Sequence, residues 1–290
     1  MKNQAVHNGA GCGTLYVVAT PIGNLEDITL RALRALENVG VIAAENVAHT
    51  KGLCEHYGIR KRLTRYHQHN QRSKASELLR ELKSGKDVAL VTDAGTPGIS
   101  DPGVFLIGRA AKEKIKVVPI PGASAVIAAL SVSGLATNSF IFSGFLPNKS
   151  GKRKKELKKL VAEPRTMVFF EAPHRLKAML TDLMEILGDR EIVMLREMTK
   201  MFEEIKRGPV STVLEYLTPD RIRGEFTLVV AGSEGEKADA SNIKVVRRIE
   251  EMLSEKMSVR DIACVLSSEE GLTYRQIYKK CLDRKKAMTV

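Results

Sequence analysis

Three features of the 290-residue sequence predict an α/β protein built from two α/β halves and a helical tail. Short apolar runs alternate with segments of helical periodicity from Thr14 to Ala231, the pattern of a mostly parallel sheet with helices on its faces. Turn-forming Gly, Pro and Asp residues follow several of those runs. From Lys244 onward only helical periodicity remains.

Residues 1–13 read as a flexible lead-in. Their glycines precede the first strand, so they do not form the dinucleotide fingerprint, which sits between a strand and a helix. Thr14–Thr20 is the first expected strand, ended by Pro21. Leu25–Asn38 carries apolar residues at helical spacing, with Asp27 or Thr29 placed to cap it. Val39–Ala44 is a second apolar run, and Ser73–Ser84 a helix. Val88–Thr92 is a strand broken at Asp93-Ala94-Gly95-Thr96-Pro97-Gly98. A helix over Gly103–Lys114 and a strand over Lys116–Ile120 follow. The small residues of Pro121–Leu135 suit a closely packed helix. Beyond them, strands are expected at Phe140–Phe145, Thr166–Glu171, Ile192–Leu195 and Phe226–Ala231. Helices are expected at Lys152–Ala162 and Leu176–Leu187. The implied domains are 14–125 and 126–235, with the boundary inside 121–140. A polar linker over 232–243 leads to a helical tail, 244–290. There Ser258 and Thr273 are placed as caps, and Gly271 separates two segments in the manner of a helix-turn-helix.

Composition excludes several classes. A hydrophobic fraction of 43% and a charged fraction of 28% are those of a folded, soluble chain. Apolar runs such as Leu15–Ala19 fall far short of the roughly 20 residues that cross a bilayer. The polar start lacks the apolar centre of a signal peptide, so a cytoplasmic location is expected. The four cysteines form no C-x-x-C pair, which fits a reducing compartment. No phosphate-loop motif is present, and His67 and His69 lack further ligands nearby, so no metal is expected.

The net charge of +12 is clustered. Residues 60–74 hold six Lys/Arg and no acid, and residues 149–159 hold seven Lys/Arg and one Glu. Two such clusters and a basic tail point to a polyanion, and RNA is the expected partner. Arg60, Arg62, Arg65, Lys152, Arg153, Lys154, Lys155 and Arg175 are the candidate phosphate contacts. The longest turn, Thr92–Gly103, follows a strand and opens a helix. Its glycines allow close approach of a ligand, and its carboxylates and hydroxyls can bind one. Thr20–Asn24 and Pro119–Ala125 are two more strand-to-helix junctions expected at the same sheet edge. No nucleophilic triad is recognisable.

The segments VATPIGNLEDIT, YHQHN, VTDAGTPGISDPG, VPIPGASA, FSGFLPNK, FFEAPHRL, LREMTK and GEFTLVV occur in that order. This ordered set resembles the tetrapyrrole-methylase superfamily of S-adenosylmethionine-dependent enzymes, over about residues 14–235. The resemblance implies two α/β domains with a cofactor cleft between them, and a homodimer. It implies that Pro21, Asp93, Gly95, Thr96, Ser124, Ala125, Leu195, Phe226 and Thr227 hold S-adenosylmethionine. It is strongest to the members that methylate the ribose 2′-oxygen of a cytidine in 16S rRNA of the small ribosomal subunit. A positioned base must then take the hydroxyl proton, and Glu45, His69 and Glu171 are the candidates. Two other readings stand beside this one: a methylase of a porphyrin-like small molecule, and a catalytically impaired RNA-binding or ribosome-assembly protein. The last is raised by Ala44-Glu45-Asn46-Val47-Ala48, where the family usually has Ala-Glu-Asp-Thr-Arg.

Overall fold

The computed structural model describes residues 11–233, 235–255, 257–269 and 274–287. The expected lead-in over 1–10, the Gly271 turn and the Thr273 cap lie outside the described residues. The chain divides into two compact units, one of residues up to 158 together with 166–231, the other of 159–165 together with 232 onward.

The larger unit contains two sheets. The first has strands β1 (Leu15–Val18), β2 (Val41–Ala44), β3 (Leu63–Arg65), β4 (Val88–Val91) and β5 (Val117–Ile120), all parallel in the order β3-β2-β4-β1-β5. β2 and β4 are buried along their whole length, which is why they read as unbroken apolar runs. The helices between them are α1 (Leu30–Asn38), α2 (Val47–His56), α3 (Gln71–Lys83) and α4 (Val104–Lys112). Leu78, Leu79 and Leu82 of α3 pack with Leu15, Leu90 and Leu106 in one core cluster, and Leu36 of α1 packs with Ile42 and Val91 in another. Thr29 caps α1 by accepting the Ala32 N–H, while Asp27 lies in a separate short 3-10 turn, Leu25–Asp27.

The second sheet has the order β6-β7-β10-β8-β9, with β6 (Phe140–Phe145) parallel to β7 (Thr166–Glu171) and the remaining pairs antiparallel. β8 spans Glu191–Arg196, β9 Glu204–Pro209 and β10 Phe226–Val230. Helix α5 (Ala125–Ser133) lies on this sheet, with Val126, Ala129 and Leu130 against Val168, Val193 and Val229. Ser124 caps α5 by accepting the Ile127 N–H. Helices α6 (Ser150–Lys158), α7 (Pro173–Leu187) and α8 (Val210–Tyr216) complete the unit.

Arg153 on α6 does not face solvent. It is 3% exposed, and its Nε donates to Asp182 Oδ2 at 2.8 Å while Nη1 donates to the Asn148 carbonyl at 2.9 Å. Ser150 Oγ donates to the same carboxylate at 2.9 Å. The basic run therefore spends one of its cations on joining α6 to α7, because a buried charge persists only when paired.

In the smaller unit, α9 (Gly235–Ser254), α10 (Val259–Glu269) and α11 (Tyr274–Ala287) pack around Val245, Ile249, Ile262, Leu266 and Ile277. Residues 235–243, expected as a linker, form the first half of α9 instead. Glu236, Lys237 and the two alanines are strong helix formers and outweigh the turn-forming residues around them. Ser258 caps α10 by accepting the Asp261 N–H at 3.2 Å. No described helix is long and apolar enough to cross a membrane.

Helix α2, strands β3 and β9, and helix α8 are not apparent in the sequence pattern. Asp182→Ala would strand the buried Arg153 guanidinium, and breaking such a pair typically costs about 3–5 kcal/mol. A urea titration is expected to show that loss. A loss below about 1 kcal/mol would mean that Arg153 finds water.

Candidate active site

Loops at the carboxyl ends of β1, β4 and β5 form one edge of the parallel sheet, the edge where open α/β sheets bind ligands. The β1 and β4 loops are tied together. Thr20 N–H donates to the Gly95 carbonyl at 2.9 Å, and Gly95 N–H returns a bond to Thr20 at 3.1 Å. Gly95 has φ of +71°, a left-handed conformation that costs a side-chain-bearing residue about 1–2 kcal/mol. Ser100 adopts φ of +64° without that freedom, at the turn immediately before Asp101. Such strain persists where the surroundings over-determine it, commonly beside functional groups.

A cavity of about 440 Å³ opens at this edge, within the range of small-molecule sites. Asp93, Gly95, Thr96, Ser124, Ala125, Phe226 and Thr227, all expected to hold a cofactor, line it. Pro21 lines a neighbouring cavity, and Leu195 is buried on β8 beside Thr227 without reaching the wall. Sequence reasoning missed Ile22, Phe170 and Met198 as apolar wall and Glu225 at the rim. Met198 and Glu225 belong to loops whose approach depends on tertiary packing. Gly23 admits that approach: a Cβ there would stand 2.6–2.8 Å from Lys200, Thr199 and Met198.

Glu45, Asp93 and Asp101 meet on the wall. Asp93 N–H points to Glu45 Oε2 at 3.5 Å. Burial pushes the Glu45 carboxyl above its ordinary value and repulsion from Asp93 adds to this, although the Asp93 N–H and His67 oppose it. Burial, with the charges of Glu45 and Asp93, pushes Asp101 up to about 6. Asp93 Oδ1 is buried without a hydrogen-bond partner, an acceptor free for a ligand.

The other two expected bases differ. Glu171 lines the cavity, but its carboxylate accepts the Ala172 N–H at 2.8 Å and lies 3.1 Å from Arg175 Nε. His69 is exposed and forms no part of the cavity wall; its backbone N–H donates to His67 Nδ1. The expected phosphate contacts also divide. Arg60, Arg65, Lys152 and Lys155 are exposed. Arg62 is paired with Glu81, Lys154 with Glu185, and Arg175 with Glu171. Arg153 is withdrawn altogether, so the exposed patch is smaller than the sequence count.

The family Tetrapyrrole (Corrin/Porphyrin) Methylases matches residues 14–214. The chain belongs to this family. It is 44% identical to ribosomal RNA small subunit methyltransferase I of Synechocystis sp., over 93% of this chain and 98% of that one. It is 42% identical to the protein of that name from Bacillus subtilis, over 96% and 97%, and 42% identical to that from Escherichia coli O157:H7, over 98% and 99%. Among solved structures, cobalt precorrin-4 methyltransferase aligns with a TM-score of 0.57 at 18% identity, covering 75% of this chain and 94% of its own. Uroporphyrin-III C-methyltransferase from Thermus thermophilus, complexed with S-adenosyl homocysteine, aligns at 0.55 and 20%, covering 76% and 97%. These two share the fold. The expected α/β class and a methyltransferase activity both stand.

The raised Asp101 has a thermodynamic consequence. Between its unfolded value near 3.8 and its folded value near 6, the native state holds more protons than the unfolded state, so stability falls as pH rises through that window. Asp101→Asn removes the penalty. Its urea midpoint is expected above wild type at pH 8, with the difference vanishing below about pH 4. A midpoint below wild type at pH 8 would show that the carboxylate is stabilising instead.

Proposed function

We propose that this protein is an S-adenosylmethionine-dependent methyltransferase that methylates the ribose 2′-oxygen of a cytidine in 16S rRNA of the small ribosomal subunit. It acts in the cytoplasm as a homodimer. The observation that carries the reading is the gathering of seven expected cofactor residues, Asp93 among them, around one cavity whose wall also holds Glu45, Asp101, Glu171 and Glu225. The names and near-complete coverage of the relatives support the RNA substrate, as do the exposed cations on β3 and α6.

The cavity fits the cofactor chemically. Ile22, Phe170, Met198 and Phe226 give an apolar wall for a purine, and the small residues of the Ser124–Ala125 junction leave room for the amino-acid end. Asp93 Oδ1 is an unspent acceptor for a hydroxyl or ammonium donor. The neighbouring carboxylates suit a cation. When bound, S-adenosylmethionine supplies a methyl group already activated on a sulfonium. The chain then has two tasks, alignment and proton removal. Alignment of reacting atoms can supply about 7–11 kcal/mol. Asp101 takes the proton from the acceptor hydroxyl, since a base near 6 is mostly ionised at neutral pH and still basic enough to act. Glu45 and Asp93 maintain that basicity by their charge. Glu171 faces Arg175 and the Ala172 N–H through Oε1, but its buried Oε2 has no hydrogen-bond partner and burial pushes its carboxyl above the ordinary value, so it stands as a second candidate base beside Asp101.

Small subunits lacking the ribose methylation, incubated with labelled S-adenosylmethionine, are expected to yield labelled 2′-O-methylcytidine. Label on a tetrapyrrole precursor and none on RNA would establish the small-molecule alternative. Asp101→Asn is expected to lower single-turnover transfer by about 10²–10⁴-fold. The wild-type rate should rise with pH through about 6, and the variant should lose that limb. Reversing the charge of Lys152 and Lys155 together should weaken binding to the subunit and flatten its salt dependence by about two contacts. An unchanged salt slope would remove α6 from the RNA surface.

A further inference from the structure

A second cavity adjoins the first, and of the residues expected to hold the cofactor only Pro21 and the shared Asp93 line it. It encloses about 620 Å³ and shares Ile22, Asp93, Ala94 and Glu225 with the cofactor cavity. Its other wall is one side of α2, where Ala48, His49 and Gly52 face it, and its floor carries the hydroxyl residues Thr20, Thr50 and Thr92. In-line methyl transfer brings the acceptor oxygen to about 3–3.5 Å from the donor carbon. The acceptor must therefore enter from a void that shares a wall with the donor's cavity. Two voids meet this condition. The other, around Gly98–Ser100 and Phe142–Phe145, is a shallow groove lined by no ionisable side chain. The α2 cavity instead shares the buried Asp93, whose Oδ1 has no partner.

We infer that the cavity beside α2 is the acceptor compartment, taking one unstacked nucleoside of the RNA substrate, with Ala48 and Gly52 as the residues that keep it open. The inference rests on the proposed methyl transfer to RNA, and it places the acceptor hydroxyl at the shared wall, because Asp101 lines the cofactor cavity and not this one. The chemistry matches a nucleoside: the Thr20 and Thr92 hydroxyls, which donate to the Thr92 and Ala94 carbonyls, keep acceptor capacity, and the His49 imidazole adds a further polar group for a base edge or a ribose. The Lys200 ammonium, held by Glu225 at 2.8 Å and Glu197 at 2.9 Å, also lines this cavity. A base taken out of its stack into a fitted pocket is the usual route to chemistry on a single nucleotide. The atypical Asn46-Val47-Ala48 run also falls into place. Asn46 still caps α2, accepting the Ala48 N–H at 3.1 Å, and Val47 packs in the core, so the departure leaves the helix intact and alters only this cavity's wall.

Gly52 allows a clean test. It lies inside α2, and a Cβ there would meet nothing within 4 Å, so substitution adds volume to the cavity and favours the helix. Gly52→Leu and Gly52→Phe are compared with Gly108→Phe, a helical glycine of α4 with equally open surroundings. Folding is followed by thermal melting, S-adenosylmethionine binding by calorimetry, and transfer to unmethylated small subunits by label. The expected result is a graded loss of kcat/KM, reaching about 10²-fold for Gly52→Phe. Cofactor affinity and melting should hold, and Gly108→Phe should match wild type. Wild-type transfer from Gly52→Phe would overturn the compartment while leaving the methyltransferase reading intact. Loss of cofactor affinity in Gly52→Phe would overturn it too, by assigning this space to the donor. A wild-type protein that binds the cofactor and methylates no RNA would overturn both readings.

Discussion

The two backbone hydrogen bonds between Thr20 and Gly95 are the constraint on which the site depends. β1 and β4 are neighbours in the centre of the first sheet, and parallel pairing alone fixes only where they end. The bridge, antiparallel where the strands are parallel, folds the two loops against each other, so that Ile22, Asp93 and Thr96 line one cavity. It requires a left-handed residue at position 95, hence glycine. Thr20 Oγ1 donates to the Thr92 carbonyl at 3.1 Å and closes the same junction from the side-chain direction. Both cavities are built against this edge, and Asp93, two residues beyond the end of β4 and two before Gly95, lines both of them.

The carboxylate group follows from that geometry. Three acids on one partly buried wall cannot all hold full charge without a large desolvation and repulsion cost. Glu45 and Asp101 respond by rising, and Asp101 rises most. The cost is borne by the fold, as the expected stabilisation by Asp101→Asn illustrates, and is relieved when a cationic ligand enters. A positive sulfonium gains from the same charges that the empty fold resists, whereas a neutral thioether product does not. On the proposed reading, these charges favour the sulfonium donor over its thioether product. This is one physical means of letting the reaction run forward and the product leave.

Much of this architecture was legible in the sequence, for identifiable reasons. Buried parallel strands such as Val88–Val91 are unbroken apolar runs, and the loops after them are rich in glycine and proline because they turn sharply under a ligand. Seven residues of the first cavity's wall were legible through those loops and through the ordered motifs. The missed pieces lack such local signals. α2 carries a glycine, a threonine and no apolar stripe, so only its Asn46 cap marks it. β9 is half-exposed and rich in charge. Asp101 was visible as a loop carboxylate, but its raised basicity comes first from burial and then from Glu45, brought near by the pairing of β2 with β4, and from Asp93. Arg153 illustrates the opposite error. In a run of seven cations the sequence does not mark the one that turns inward, since Asp182 lies on another helix, 29 residues away.

That inward turn changes how the basic surface works. A cation bound to Asp182 contributes nothing to counterion release, and those paired with Glu81 or Glu185 must first exchange partners, so their net gain on meeting a phosphate is small. On the proposed reading the exposed Arg60, Arg65, Lys152 and Lys155 carry the electrostatic attraction, the first two at or just before β3 and the others on α6. Affinity for RNA then depends on engaging both halves of the larger unit at once. A substrate long enough to touch β3 and α6 together gains multiplicatively over one that reaches only one of them. A short oligonucleotide that carries the target nucleotide but spans a single cluster is therefore a poor substrate even with a fully formed cavity. The folded subunit, which holds distant phosphates in fixed positions, is the better one.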